Sequence, residues 1–232
     1  MKSLLIVGTD TDVGKTFVVA SLVAYWKQYI LDKDFPESDR SLGLLKLLQT
    51  GIGDREIYDR LFADCDRIEI RSPVRFQAPL APPIAAEKEG KTIDLSEVNE
   101  ALVSLQEKHD FVLVEALGGL GSPVTKTLTV AHIAAEWSIP TVLVVPVRLG
   151  AISHAVANVA LAKNFNIDLK GIILNCLTLE SNSELADLTP VDLIQSLTQV
   201  PVLGILPYIS DLTEGGKLAH SIGSWDLTSI FP

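Results

Sequence analysis

The sequence predicts an α/β protein in three layers, a mostly parallel sheet with helices on both faces. Three observations carry that expectation. Short, almost wholly apolar runs recur along the chain, helical patterns separate them, and the first run leads directly into a glycine-rich turn. Strands buried on both faces read as continuous apolar runs, and helices between them supply the crossovers of a parallel sheet. The first strand is Leu4-Leu5-Ile6-Val7. Gly8-Thr9-Asp10-Thr11-Asp12-Val13-Gly14-Lys15-Thr16 follows, a complete G-x-x-x-x-G-K-[ST] loop, and then an apolar stretch from Phe17 to Trp26 that reads as a largely buried helix. Strand, tight turn and helix start together aim backbone N–H groups and the positive helix end at a polyphosphate. The fold is therefore expected to be of the P-loop NTPase type, with Asp12, Val13, Gly14, Lys15, Thr16 and Phe17 contacting a nucleoside triphosphate. Lys15 would reach its β/γ-phosphates, and the Thr16 hydroxyl would sit on Mg²⁺.

The remaining strands are expected over 42–48, 111–114, 141–147, 171–175 and 202–206. The clearest helical spacing runs through Leu95, Val98, Leu102 and Leu105, with Asp94 placed as N-cap. Further helices are expected to begin near Thr129, Ala151 and Pro190. Right-handed crossovers would put the loops after these strands along one edge of the sheet, where ligands bind. The polar stretch 33–40 and the proline-bearing stretch 77–90 read as surface loops rather than linkers. Residues 1–232 are then one nucleotide-binding domain.

Composition narrows the function classes. The chain has 232 residues, is 47% hydrophobic and carries a net charge of −10, with an isoelectric point near 4.8. No basic run offsets the acidic balance, which argues against nucleic acid and against an anionic membrane surface. Cys65 and Cys176 lie far apart, match no metal-ligand spacing, and suit a reducing compartment. No apolar run approaches a membrane span, and the N-terminal run is too short for a signal h-region. A cytoplasmic location is expected.

Two further residues point to chemistry at the strand ends. Phe111-Val112-Leu113-Val114-Glu115 is an apolar strand ending in a carboxylate, where a Mg²⁺-binding acid would stand after a phosphate loop. Ala116-Leu117-Gly118-Gly119-Leu120-Gly121 then lets backbone approach a ligand closely, Gly118 included among the nucleotide contacts. Lys46 interrupts an apolar run. A buried, uncompensated ammonium is costly, so Lys46 either reaches the strand end or pairs with an anion.

At these positions the chain resembles the dethiobiotin synthetase family along its whole length. Its loop reproduces every fixed position of G-T-D-T-x-V-G-K-T. The family element K-P-x-Q-T-G matches Lys46, Gln49, Thr50 and Gly51, with Leu47 in place of the proline. V-E-G-A-G-G appears as Val114-Glu115-Ala116-Leu117-Gly118-Gly119, and L-G-x-I-N-H as Leu149-Gly150-Ala151-Ile152-Ser153-His154, with Ser153 where asparagine is usual. Asn175 and the segment 201–207 complete the match.

The resemblance implies an ATP-dependent ligase of biotin synthesis. It would close the ureido ring of dethiobiotin from 7,8-diaminononanoate, CO₂ and ATP, releasing ADP and phosphate. Lys15 and Lys46 would be catalytic. Thr16, Asp54 and Glu115 would ligate Mg²⁺, with nearby Asp59 the alternative to Asp54. Thr11 and Thr50 would contact the diamine or carbamate, Asn175 the adenine, and the Pro207 loop would pack beside it. Gly150 and Ser153 open a helix whose N–H groups could hold the substrate carboxylate. Ser153 could add a hydroxyl donor there or merely cap the helix. In the family that helix start belongs to the neighbouring subunit, which implies a homodimer. The alternative is a dimeric switch ATPase of the partitioning or nitrogenase-iron type. Those loops carry a lysine directly after the first glycine, where this chain has Thr9-Asp10-Thr11. Relatives that amidate corrin rings need an added glutaminase domain, for which 232 residues leave no room.

Overall fold

The computed structural model describes residues 2–31, 40–179, 182–212 and 215–231. The polar stretch 33–40 therefore lies, apart from Arg40, outside the described residues.

The first strand, β1 (Ser3–Gly8), enters the phosphate loop and helix α1 (Lys15–Trp26). Strand β2 (Leu42–Lys46) follows, then a two-residue strand β3 (Gln49–Thr50), helix α2 (Asp54–Phe62), strand β4 (Ile68–Arg71) and a short β5 (Arg75–Phe76). Helices α3 (Pro82–Lys88) and α4 (Leu95–Lys108) lead to the long strand β6 (Phe111–Gly119). Helix α5 (Val130–Trp137), strand β7 (Thr141–Pro146), helix α6 (Ala151–Asn164) and strand β8 (Leu169–Asn175) then alternate. Helices α7 (Asn182–Leu188) and α8 (Val191–Thr198), strand β9 (Val202–Leu206) and helix α9 (Gly215–Ser221) complete the order.

Seven strands form one sheet in the order β4-β2-β6-β1-β7-β8-β9, and every pairing in it is parallel. Alternate strand residues feed two cores. Leu5, Val7, Val112 and Val114 pack with α4, α5, α6 and α8, whereas Leu4, Ile6, Phe111 and Leu113 pack with α1, α2 and α9. This is the three-layer α/β fold that the apolar runs predict. Helix α1 is buried nearly all round because α9 covers the side turned away from the sheet. Trp26 stacks on Phe111 at 5.3 Å between ring centres, with Phe231 at the same distance across it.

Several expectations need correction. The strand expected to end at Glu115 runs on to Gly119, so the small residues after Glu115 belong to the strand as well. The run 42–48 ends as a strand at Lys46, and Gln49–Thr50 pairs separately with β5. The stretch 77–90 is not all loop, because Pro82 opens α3, proline being suited to the first helical turn. The edge strand β4 and helices α7 and α9 are further elements that the apolar pattern did not mark. Asp94 does cap α4, its carboxylate accepting from Ser96 N at 2.8 Å.

Candidate active site

The register places Lys46 beside Glu115, and Glu115 beside Ile6, across three adjacent strands. The alternation that sends Leu44 and Leu113 towards α1 and α2 sends Lys46 and Glu115 to the same face, directly below the phosphate loop. Above them a cleft of about 1150 Å³ opens. Thr11, Asp12, Gly14, Lys15, Thr16, Phe17, Lys46, Thr50, Asp54, Glu115 and Gly118 all line it. Its far wall comes from the β3–β5 ribbon and the start of α3, through Gln77, Pro79, Leu80 and Pro82.

Backbone geometry forms the loop. Gly14 has φ +83°, and a Cβ there would lie 2.0 Å from Asn175 Nδ2, so glycine is required on both counts. Gly119 lets β6 run against the loop, since a Cβ would come within 2.8 Å of Thr9 O. Val13, fully buried, anchors the loop in the core beneath. Lys15 Nζ lies 3.1 Å from Asp10 O, its own loop's carbonyl. Burial lowers the Lys15 pKa, against the raising influence of Glu115.

The charged centre is dense. Thr16 Oγ1 donates to Asp54 Oδ1 at 2.6 Å and stands 3.1 Å from Glu115 Oε1. Lys46 Nζ pairs with Glu115 Oε1 at 3.0 Å and, closer still, with Asp54 Oδ2. Burial alone would lower the Lys46 pKa, but the two carboxylates outweigh it and raise it. For Asp54 burial works upward and the Lys46 ammonium prevails, holding its carboxyl below the usual range. Glu115 is 0% exposed, and burial pushes its carboxyl up despite Lys46. The lysine that the sequence left between two readings thus both reaches the strand end and pairs with anions.

Asp54 rather than Asp59 turns into this centre. Asp59 is bound to Arg55 Nε at 2.7 and 2.8 Å on the outer side of α2. Thr16, Asp54 and Glu115 offer hard oxygens converging from three elements. That donor set fits Mg²⁺, which takes one or two carboxylates and completes its shell with phosphate oxygens and water. Among the described residues no group of three or more His, Cys, Asp or Glu forms a metal cluster.

Other expected residues lie elsewhere. Asn175 is buried under the phosphate loop, its Nδ2 donating to Val13 O at 2.9 Å, and it is not among the residues lining the cleft. Pro207 is exposed just past β9. Gly150, at φ +90°, precedes α6 where an added Cβ would meet nothing within 4 Å, and it too is not among the residues lining the cleft. Ser153 is exposed, and its hydroxyl donates to Gly150 O at 3.1 Å.

The structure also adds residues. Tyr58, on α2, is fully buried and donates its O–H to Glu115 Oε2. Burial, and then the Glu115 and Asp54 charges, raise its pKa well above the usual value, so it stays a neutral donor. Gln49 accepts from Arg55 N at 3.0 Å and donates to Glu56 Oε2 at 3.0 Å, bracing the start of α2 where Asp54 stands. Asn158 of α6 reaches Thr9 O at 3.3 Å. The one sequence signal for Tyr58 is its spacing of four from Asp54, which puts both on one helix face.

A family model described as an AAA domain matches residues 2–215. The chain is 56% identical, over 100% of both chains, to the ATP-dependent dethiobiotin synthetase BioD of Gloeothece citriformis. It is 51% identical to the same-named protein of Crocosphaera subtropica, again over the full length of both. With that of Bacillus subtilis (strain 168) it shares 30% identity over 92% of this chain and 90% of the other. Among solved structures, a ParA family ATPase from Chlorobium tepidum superposes with TM-score 0.60 over 94% of this chain and 90% of that one, at 15% identity. The cell division protein MinD of Aquifex aeolicus gives TM-score 0.54 at 16% identity, covering 96% and 89%. At such identities the likeness to partitioning-type ATPases is one of fold.

Proposed function

Because this chain belongs to the ATP-dependent dethiobiotin synthetase family, an enzyme family, we propose that it makes dethiobiotin from 7,8-diaminononanoate, CO₂ and ATP. One amine of the substrate adds to CO₂ and loses a proton, giving a carbamate. A carbamate oxygen then attacks the γ-phosphorus and ADP departs. The second amine attacks the carbonyl carbon of the resulting carbamic–phosphoric anhydride, and phosphate leaves as the ureido ring closes. Negative charge concentrates on the transferred group throughout, so cations and donors must converge on it.

The observation that carries this reading is the meeting of Lys15, Lys46, Thr16, Asp54 and Glu115 in one cleft under the loop. Lys15 holds the β/γ-phosphates. Lys46, kept protonated by its two carboxylates, faces the carbamate and anhydride. Thr16, Asp54 and Glu115 hold Mg²⁺, which when bound neutralises phosphate charge and orients the γ-phosphoryl group. Asp12, Val13, Gly14, Phe17 and Gly118 complete the nucleotide site. Thr11 and Thr50, which both line the cleft, contact the diamine or carbamate.

The adenine falls to Asn175 and the Pro207 loop. Gly150 and Ser153 bind the substrate carboxylate of a neighbouring subunit in a homodimer. The exposed start of α6, with Leu149 at 90% exposure, supports that assignment. Residues 1–232 act as one nucleotide-binding domain. The cytoplasm is the proposed location, supported by Cys65 and Cys176 being free thiols; no helix among the described residues is long and apolar enough to cross a membrane.

The direct test is substrate dependence. ADP release should require both 7,8-diaminononanoate and bicarbonate, with dethiobiotin identified by mass as the product. ATP turnover that ignores the diamine would defeat the proposal.

A further inference from the structure

Of the charged centre, Lys15, Thr16, Lys46, Asp54 and Glu115 line the cleft, whereas Tyr58 stands behind them in the core. It stands four residues after Asp54 on α2, so both side chains leave the same helix face towards the charged centre, Asp54 to Thr16 and Lys46 and Tyr58 to Glu115. Its O–H donates to Glu115 Oε2. The other oxygen, Oε1, faces Thr16 Oγ1 at 3.1 Å and Lys46 Nζ at 3.0 Å. The two oxygens of Glu115 are thus divided, one pinned by the phenol in the core, the other turned to the site. Tyr58 and Glu115 are both 0% exposed, so no solvent competes for that bond.

We propose that Tyr58 is a positioning residue that limits Glu115 to coordination through one oxygen and thereby favours Mg²⁺ over Ca²⁺. Mg²⁺ demands near-octahedral geometry at about 2.0–2.1 Å and takes carboxylates sparingly, whereas Ca²⁺ accommodates roughly 6–8 oxygens and often a bidentate carboxylate. Without the phenol, Glu115 is free to turn both oxygens to one ion. Outer partners of metal ligands commonly change affinity by about 10–100-fold. The inference rests on the proposed role of Glu115 as a metal ligand, and the experiment separates the two.

ADP affinity measured by calorimetry in excess Mg²⁺, in excess Ca²⁺ and in EDTA reports, by linkage, how well each ion is held. Wild-type enzyme should bind ADP more tightly with Mg²⁺ than with Ca²⁺. In Tyr58→Phe, which keeps the ring and its packing, that preference should fall by about tenfold. A folded Tyr58→Phe with the wild-type preference overturns the inference, as does a wild type that shows none. Should Tyr58→Phe not fold, the same ratio read in Tyr58→Met decides. Glu115→Gln controls the premise: if it leaves the Mg²⁺ enhancement intact, Glu115 is not a ligand and the metal reading itself fails.

Discussion

Lys46 lies between two carboxylates with its side chain 4% exposed, so its charge is both costly to bury and hard to remove. Under the proposed role, Lys46→Gln should lower kcat by more than about tenfold, upwards of about 1.4 kcal/mol of transition-state stabilisation. Nucleotide affinity should fall much less than in Lys15→Gln. A Lys46→Gln variant that merely melts earlier, with kcat intact, would make the lysine structural. The aspartates offer a sharper comparison. Asp54 accepts from Thr16 in the centre while Asp59 is held by Arg55 outside it. Asp54→Asn should therefore cut turnover severely and Asp59→Asn barely, and equal losses at saturating Mg²⁺ would count against the assigned ligand. Glu115→Gln should match Asp54→Asn while the circular dichroism of the protein stays native.

At the scale of elements, α2 does more than its length suggests. In nine residues it delivers Asp54 and Tyr58 to one face, Asp59 to another, and fills the core with Phe62. Gln49 and Glu56 brace its first turn, the Glu56 carboxylate accepting from Gly53 N at 2.9 Å. Leu47 shows a similar economy just before it. Its N–H donates to Glu115 O at 3.0 Å, a bond that the proline usual in the family could not make. The edge strand β4 is tied to the end of α4 through Glu69, which binds Lys108, Arg71 at 2.7 Å and His109 at 3.1 Å. Chiefly through Lys108, the Glu69 carboxyl is held down from 4.5 to about 2. A depressed folded pKa contributes stability above the unfolded value, lost as pH falls through the folded one. The Tm advantage of wild type over Glu69→Gln should accordingly be full above about pH 4.5 and shrink towards pH 2. An advantage constant across that window would show that the ion pairs do not hold β4.

The molecule as a whole puts its phosphate loop and the start of α6 in different surroundings. The loop faces the cleft, whereas Leu149 and Gly150 face outward. If sites are shared across a two-fold axis, two dead subunits can rescue one another. Mixing Lys15→Gln with Gly150→Trp should restore one of the two sites in each hybrid dimer, because one site then combines an intact loop with an intact helix start. Failure to complement, after subunit exchange has been demonstrated by mass, would show that each chain completes its own site.

The sequence by itself determined the α/β class, the phosphate loop and the capped helix α4. These depend on neighbours in the chain: apolar runs, the G-x-x-x-x-G-K-T spacing and Asp94 two residues before Ser96. It also marked Lys46 and Glu115 as unusual, since a charge ending or interrupting an apolar run must have a partner. What it could not decide was which partner. Lys46, Asp54, Tyr58 and Glu115 meet only because β2 and β6 pair in register and α2 folds over that face. Asp54 and Asp59 look alike along the chain, and helix rotation alone sends one inward and the other to Arg55. The continuation of β6 to Gly119 is likewise tertiary, because glycines read as loop until β1 and the phosphate loop close against them. Short-range pattern specifies elements; the division of Glu115's two oxygens between a phenol and the cleft exists only once the sheet and α2 are packed.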